Sequence, residues 1–542
     1  MHSAAALRLM QSWSLTVDKP LVHAGRWHPQ TEIVSRNAAG LVVRTNYASI
    51  ERRARQLSSA LLGAGVVLGD RIATLAMNGA EHVEAWFGIA AMGAICHTLN
   101  PRLFDEQLRF IINHADDRIV IADAAFVPIL ERLLPACPSV ERIVVIGAAD
   151  PGPIASKPAV GYEAFIAGQP VDALWGDFDE NLPAGLCYTS GTTGNPKGVL
   201  YSHRSQMLHT LFACTGENLA LTALDTALMV VPMFHANAWG VPFATAMSGT
   251  KLVLPGPKLD GESVYGLLED EEVTLSCAVP TVWQLLLDYM RSKDLRLTTL
   301  KRVLIGGSAC PEALLRELED LGVHVLHAWG MTEMSPIGTG AIESADVARL
   351  TKKERIAQQL KQGRVSLMVD MKITDDDGVE LPHDGKQPGH VKVKGPCVIR
   401  RYFRAEEDAL DVQGYFDTGD IGTIDRHGYL QITDRAKDLI KSGGEWISSV
   451  EIENIAAGHP KALIAAVIAI PDPKWRERPL LIVKLRPGLT ATPAEFLGFL
   501  EGKIARWWMP EGVVFVDEMP LGGTGKLDKK RLRTLYTSAP PP

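Results

Sequence analysis

One stretch constrains this chain more than any other: Tyr188-Thr189-Ser190-Gly191-Thr192-Thr193-Gly194-Asn195-Pro196-Lys197-Gly198-Val199. An apolar run, Leu186 to Tyr188, enters a loop of glycines, hydroxyl side chains and one lysine, and strand character resumes at Val199. Small residues let backbone N–H groups approach phosphate oxygens, while the hydroxyls and the Lys197 ammonium add hydrogen bonds and charge. The composition is that of a polyphosphate cradle. It is not a Walker loop, which places glycine before its lysine and Ser or Thr after it; Pro196 and Gly198 stand there instead. Gly525-Lys526 fails the same test, because Leu527 follows and Pro520 occupies the first glycine position. A P-loop NTPase is disfavoured.

The loop lies in a chain that alternates between helical and strand periods. Tyr47 to Leu62 has apolar positions at helical spacing and stops at Gly63-Ala64-Gly65; Arg71 to Leu75 reads as a strand and Ala80 to Met92 as a helix. Ile119 to Ile121, Phe126 to Leu134 and Arg142 to Ile146 repeat the pattern, and Thr250 to Leu254, Val264 to Leu268 and Arg302 to Ile305 extend it. Such alternation predicts βαβ units around mainly parallel sheets. Beyond Val365 the texture changes to short strands with turn residues, as in Val391-Lys392-Val393 and Tyr429 to Ile432, which predicts a small β-rich subdomain. Gly443-Gly444, between charged residues, fits a flexible junction. The expected organisation is an N-terminal domain over 1–436, with the β-rich part at about 365–434, and a small α+β domain over 437–542 ending in a loose tail.

With 542 residues, 46% apolar and 22% charged, the chain has the composition of a folded globular protein. Its net charge of −8 lacks the basic surplus of a dedicated nucleic-acid binder. The charge is uneven: from Arg435 onward there are 16 basic and 12 acidic residues, against 39 and 51 before it. A basic module on an acidic body fits a lid over an anionic ligand. Seven cysteines without CxxC pairing read as reduced core thiols. Met1 to Trp13 has no signal-peptide pattern, and the longest uncharged run, Thr226 to Thr250, is broken by Pro232, His235, Asn237, Gly240 and Pro242, a poor membrane span. These features point to a cytoplasmic protein without a transmembrane segment.

Further blocks follow the loop in order: Gly306-Gly307-Ser308-Ala309, Trp329-Gly330-Met331-Thr332-Glu333, Tyr415 to Asp420, Asp434-Arg435-Ala436-Lys437-Asp438, and Gly522-Gly523-Thr524-Gly525-Lys526. With the loop they make the chain resemble, over nearly its whole length, the adenylate-forming superfamily, and within it bacterial medium-chain fatty acyl-CoA synthetases and methylmercaptopropionate-CoA ligases. Two departures stand out: Trp329 replaces the usual tyrosine, and Met334 follows the glutamate.

The resemblance implies roles residue by residue. Thr189, Ser190, Gly191, Thr192, Thr193, Gly194 and Lys197 would hold phosphates; Thr189 and Glu333 would hold Mg²⁺, a hard cation that takes few protein oxygens alongside substrate phosphates. Gly307, Ser308, Trp329, Gly330, Met331 and Thr332 would border the nucleotide, and Asp420 could accept both ribose hydroxyls beside Arg435. Lys526 would bridge carboxylate and α-phosphate, Lys437 would be the hinge, and Lys441, Ser442, Gly443, Gly444, Glu445 and Trp446 would border the nucleotide and the thiol tunnel. His235 and Trp239, in Met233 to Gly240, match the acyl side, with Trp239 as gate and Trp446 coupling it to nucleotide.

The expected reaction joins ATP, a medium- or longer-chain carboxylic acid and CoA through acyl-AMP, in a homodimer. A short thioether acid is the alternative substrate, and a separate carrier protein the alternative acceptor. A non-catalytic nucleotide or acyl binder would not need Lys526.

Overall fold

Helix Tyr47–Gly63 shows how the sequence builds its layers. The Asn46 side chain accepts the Ser49 N–H at 2.9 Å and caps the first turn. Tyr47, Ile50, Ala54, Leu57 and Leu61 then fall on one buried face, which packs on helix Ala80–Ala91. The second helix is buried all round; its Trp86 and Phe87 meet Phe243 edge-on at ring distances of 5.9 and 5.3 Å. The computed structural model describes residues 10–37, 39–189, 195–340, 343–442, 445–522 and 527–537, without the side chains of Asn237, Glu445 and Trp446.

Two seven-stranded sheets share this helical layer. The first runs Ala159–Gly161, Arg142–Ile146, Ile119–Asp123, Arg71–Leu75, Ile95–Thr98, Pro183–Tyr188, Gly198–Ser202. All its neighbours are parallel except the last pair, the arms of the phosphate loop. The second sheet runs His324–His327, Arg302–Ile305, Leu275–Ala278, Thr226–Met229, Lys251–Leu254, Glu32–Arg36, Val42–Asn46. It too is parallel apart from its N-terminal hairpin. Inner strands such as Ile95–Thr98 and Leu275–Ala278 are wholly buried, which is why they read as continuous rather than alternating runs.

A four-stranded antiparallel sheet follows, Asp370–Thr374, Gly389–Lys394, Phe416–Ile424 and Leu430–Arg435. After Ala436 to Leu439 the chain enters a different sheet, in which Ile440–Ser442 links Glu445–Ile447 to the long hairpin Ala462–Asp472/Arg476–Leu485, with Val513–Phe515 on the latter. The molecule is therefore α/β, with a large N-terminal domain of mixed sheets and a smaller C-terminal one. All seven cysteines are free, and burial pushes the Cys187 thiol up to about 11. Among the described residues no helix is long and apolar enough to cross a membrane.

Candidate active site

The phosphate loop opens between strands Pro183–Tyr188 and Gly198–Ser202, and the Thr189 N–H donates to the Lys197 carbonyl at 2.9 Å to close its neck. Ser190, Gly191, Thr192, Thr193 and Gly194 lie outside the described residues. At Gly198 a Cβ would sit 3.0 Å from the Phe403 Cβ and 3.1 Å from the Tyr188 ring, so a side chain here would push these neighbours aside by a few tenths of an ångström. The close approach lets the Phe403 N–H reach the Gly198 carbonyl at 2.8 Å and docks Tyr402 beside the loop.

Tyr402 joins two of the residues singled out by sequence. The Lys197 ammonium stands 4.7 Å above its ring, and its hydroxyl donates to Glu333 Oε1 at 2.9 Å. Glu333 lies in a short turn, Thr332–Met334, pinned by Tyr201 Oη donating to the Thr332 carbonyl at 2.8 Å. Burial raises the Glu333 carboxyl above its ordinary range, opposed first by the Tyr402 hydrogen bond and then by the charges of Arg435 and Lys197. Tyr402 itself is raised by burial, so it remains a donor.

The other cluster is built on the antiparallel sheet. Asp420, on strand Phe416–Ile424, pairs in register with Arg435 on Leu430–Arg435. The Arg435 Nε donates to Asp420 Oδ1 at 2.7 Å and the Trp329 indole Nε1 to Oδ2 at 2.9 Å. Gly330 and Met331 follow in a bend held by the Met331 N–H on the Pro336 carbonyl at 2.9 Å. Gly307 and Ser308 form an exposed turn beyond strand Arg302–Ile305.

His235 borders a small cleft with Thr98, Asn100, Tyr188 and Phe234. Trp239 lies in a turn with positive φ at Ala238 (49°), Trp239 (55°) and Gly240 (75°), and its indole comes within 3.3 Å of where a Gly306 Cβ would stand. Lys197, Glu333, Asp420 and Arg435 thus converge, with Trp239 against the strand end that precedes Gly307. Lys441 pairs with Trp446, and Ser442 with Glu445, in the hairpin of the smaller domain, where the Lys441 N–H donates to Glu477 at 2.8 Å and Arg478 reaches the Ser442 hydroxyl at 3.4 Å. Lys437 is exposed between the two sheets. Lys526, Gly443 and Gly444 lie outside the described residues, as do the side chains of Glu445 and Trp446.

Sequence reasoning missed Tyr402. It sits in Arg401-Tyr402-Phe403, some two hundred residues beyond the loop it serves, and no spacing rule marks it.

Parallel βα layers, a loop of small residues and hydroxyls at the sheet edge, a buried glutamate and an Arg-bound aspartate define an adenylate-forming ligase. The chain belongs to the AMP-binding enzyme family, whose model matches residues 22–403, with the AMP-binding enzyme C-terminal domain matching 451–526. It is 46% identical to a 3-methylmercaptopropionyl-CoA ligase of Ruegeria lacuscaerulensis over 98% of this chain and 99% of that protein. It is 45% identical to a medium-chain-fatty-acid–CoA ligase of Ectopseudomonas oleovorans, covering 96% of each. The crystal structure of the anthranilate CoA ligase AuaEII in complex with anthranoyl-AMP superposes with a TM-score of 0.86 at 24% identity, over 96% of this chain and 97% of that one, a likeness of fold.

Proposed function

We propose that the chain activates a medium- or longer-chain fatty acid with ATP and transfers the acyl group to CoA. The convergence of Lys197 and Glu333 on Tyr402, beside the Asp420–Arg435 pair, carries the ATP half of this reading, and the 45% identity to the Ectopseudomonas medium-chain-fatty-acid–CoA ligase supports the acid and the acceptor. A carboxylate is a poor electrophile. One of its oxygens attacks the α-phosphorus, the bond to pyrophosphate breaks, and the mixed anhydride acyl-AMP forms; the CoA thiolate then attacks the acyl carbon and AMP leaves with the bridging oxygen.

Both steps load charge onto phosphate oxygens, which the Lys197 ammonium and the Arg435 guanidinium, both near Glu333, stabilise. Lys526 supplies a further cation for adenylation, and rotation about Lys437 then brings the Lys441 to Trp446 hairpin to the thiol path. His235 faces the acid carboxylate, and Trp239 gates its chain.

Thr189 and Glu333 fit Mg²⁺ by donor type, a hydroxyl and a buried carboxylate. Among the described residues no three His, Cys, Asp or Glu side chains converge, so Thr189 and Glu333 are the protein groups that would hold the ion. The ion supplies charge neutralisation at the phosphates. The enzyme works as a cytoplasmic homodimer.

A second reading, a short thioether acid as substrate, is favoured by the 46% identity to the Ruegeria protein. AMP release, followed with CoA over saturated acids of rising length and over methylthio-substituted short acids, decides between the two. A maximum at six or more carbons supports the first reading, a maximum on the thioether acid the second. Release of ADP in place of AMP overturns both.

A further inference from the structure

Asp420 is a carboxylate held from two sides. It is 2% exposed, and its own N–H is tied to Thr418 Oγ1 at 3.1 Å. Arg435 donates to one oxygen at 2.7 Å, from the neighbouring strand of the same sheet. The donor to the other oxygen is the Trp329 indole at 2.9 Å, from a segment 91 residues away in sequence. Two donors from different elements fix both the position and the plane of the carboxylate, and an N–H bonded to an ionised acceptor is among the stronger hydrogen bonds a protein makes.

The indole is itself seated. The Trp329 backbone N–H donates to Thr339 Oγ1 at 3.0 Å and its carbonyl accepts the Gly338 N–H at 2.9 Å. A Cβ on Gly338 would lie 2.7 Å from the indole Cζ3 and from the Met334 methyl, so the glycine is the gap into which the ring fits. A phenylalanine ring offers no donor, and a tyrosine hydroxyl projects from the far end of a smaller ring, so neither reproduces an N–H at this point.

We infer that Trp329 is a positioning residue for sugar recognition: its indole N–H holds Asp420 so that the chain distinguishes the ribose of an adenosine nucleotide from its deoxy forms. This rests on Asp420 facing the ribose hydroxyls. Stacking on the base treats ribose and deoxyribose alike; a hydrogen bond that orients the ribose acceptor does not.

The test compares kcat/KM for ATP, 2′-deoxyATP and 3′-deoxyATP in the wild type and in Trp329→Phe. The wild type should prefer ATP. In Trp329→Phe the ATP value should fall about tenfold or more, the scale of one charge-assisted hydrogen bond, while the deoxynucleotide values change much less, so the preference contracts. Because the preference is a ratio within one preparation, loss of folded enzyme cancels from it. Replacing Trp329 by 3-benzothienylalanine, which keeps the ring shape with sulfur in place of N–H, should give the same contraction, as should Gly338→Ala, which displaces the ring. An unchanged preference while all three nucleotides weaken together overturns the inference and leaves Trp329 as a packing surface. A wild type with no preference removes Asp420 from the ribose, and the inference with it.

Discussion

Asp434 and Ser449 are joined across Lys437: the Asp434 Oδ2 accepts the Ser449 backbone N–H at 2.7 Å. Asp434 is the last residue but one of strand Leu430–Arg435 in the antiparallel sheet, whereas Ser449 opens helix Ser449–Ala457 of the smaller domain. The Ser448 hydroxyl adds a second link to the Thr433 carbonyl. Lys529, three positions past Lys526, bonds Ser449 Oγ at 2.6 Å and Glu453 at 2.8 Å, and its charge offsets the burial of Asp434. On the proposed hinge, rotation about Lys437 breaks the two links that cross it, Asp434–Ser449 and Thr433–Ser448, so they favour one domain arrangement. Asp434→Ala should therefore change adenylation and thioester formation unequally, by severalfold, when each is measured from its own starting compound. Equal loss in both would make the contact purely structural.

Tyr402→Phe keeps the ring beneath Lys197 and removes the donor to Glu333. One hydrogen bond to a charged group is worth about 1.5–3 kcal/mol, so KM for MgATP should rise roughly tenfold or more. The pH profile should move as well. The Tyr402 bond is the largest influence holding the Glu333 carboxyl down against burial, so without it that carboxyl titrates higher and the acid limb of kcat/KM shifts to higher pH. An unshifted limb contradicts Glu333 acting in its ionised form.

Buried histidines predict acid lability. Burial lowers His209 to about 3 and His82 to about 4 from 6.5. The unfolded chain then binds more protons than the folded one between the two values, so stability is full above about 6.5 and drains away as pH falls toward 4. In the folded state His209 Nε2 accepts the Ile337 N–H at 3.2 Å, a bond that protonation removes. The apparent Tm should fall steeply between pH 6.5 and 4. His209→Asn, less stable at pH 7, should show a shallower fall; parallel curves would remove His209 from the effect.

Trp239→Ala opens the space against Gly306. The ratio of kcat/KM values across acid chain lengths should shift, by about 1–3 kcal/mol per methylene of lost fit, with KM for ATP nearly unchanged. A profile of unchanged shape together with a stability loss of about 3–5 kcal/mol would mark Trp239 as packing.

What was legible in the sequence follows from how local each signal is. The phosphate loop, the Trp329 to Glu333 run and Asp420 are contiguous motifs, and the early helices and strands announce themselves by period, as in Tyr47–Gly63 and Arg71–Leu75. Pairings between distant segments left no such trace. Strand Glu32–Arg36 joins Lys251–Leu254, more than two hundred residues on, and the helix Tyr47–Gly63 that follows the hairpin packs beside strands of the other sheet. Tyr402 and the Trp329–Asp420 bond were hidden for the same reason: each depends on a fold-made contact between segments whose local patterns say only turn, or strand. The aromatic at 329 could be read as a face for adenine, but its N–H donor role needed the position of Asp420.

Attack of a carboxylate oxygen of the acid on the α-phosphorus of ATP leaves a mark that isotope labelling reads. The enzyme is incubated with ATP, CoA and a fatty acid carrying ¹⁸O in both carboxyl positions, and the AMP and pyrophosphate are analysed by mass spectrometry. Each AMP formed should carry one ¹⁸O, pyrophosphate none, and the thioester carbonyl should retain one. Unlabelled AMP, or label in inorganic phosphate beside ADP, would contradict this attack.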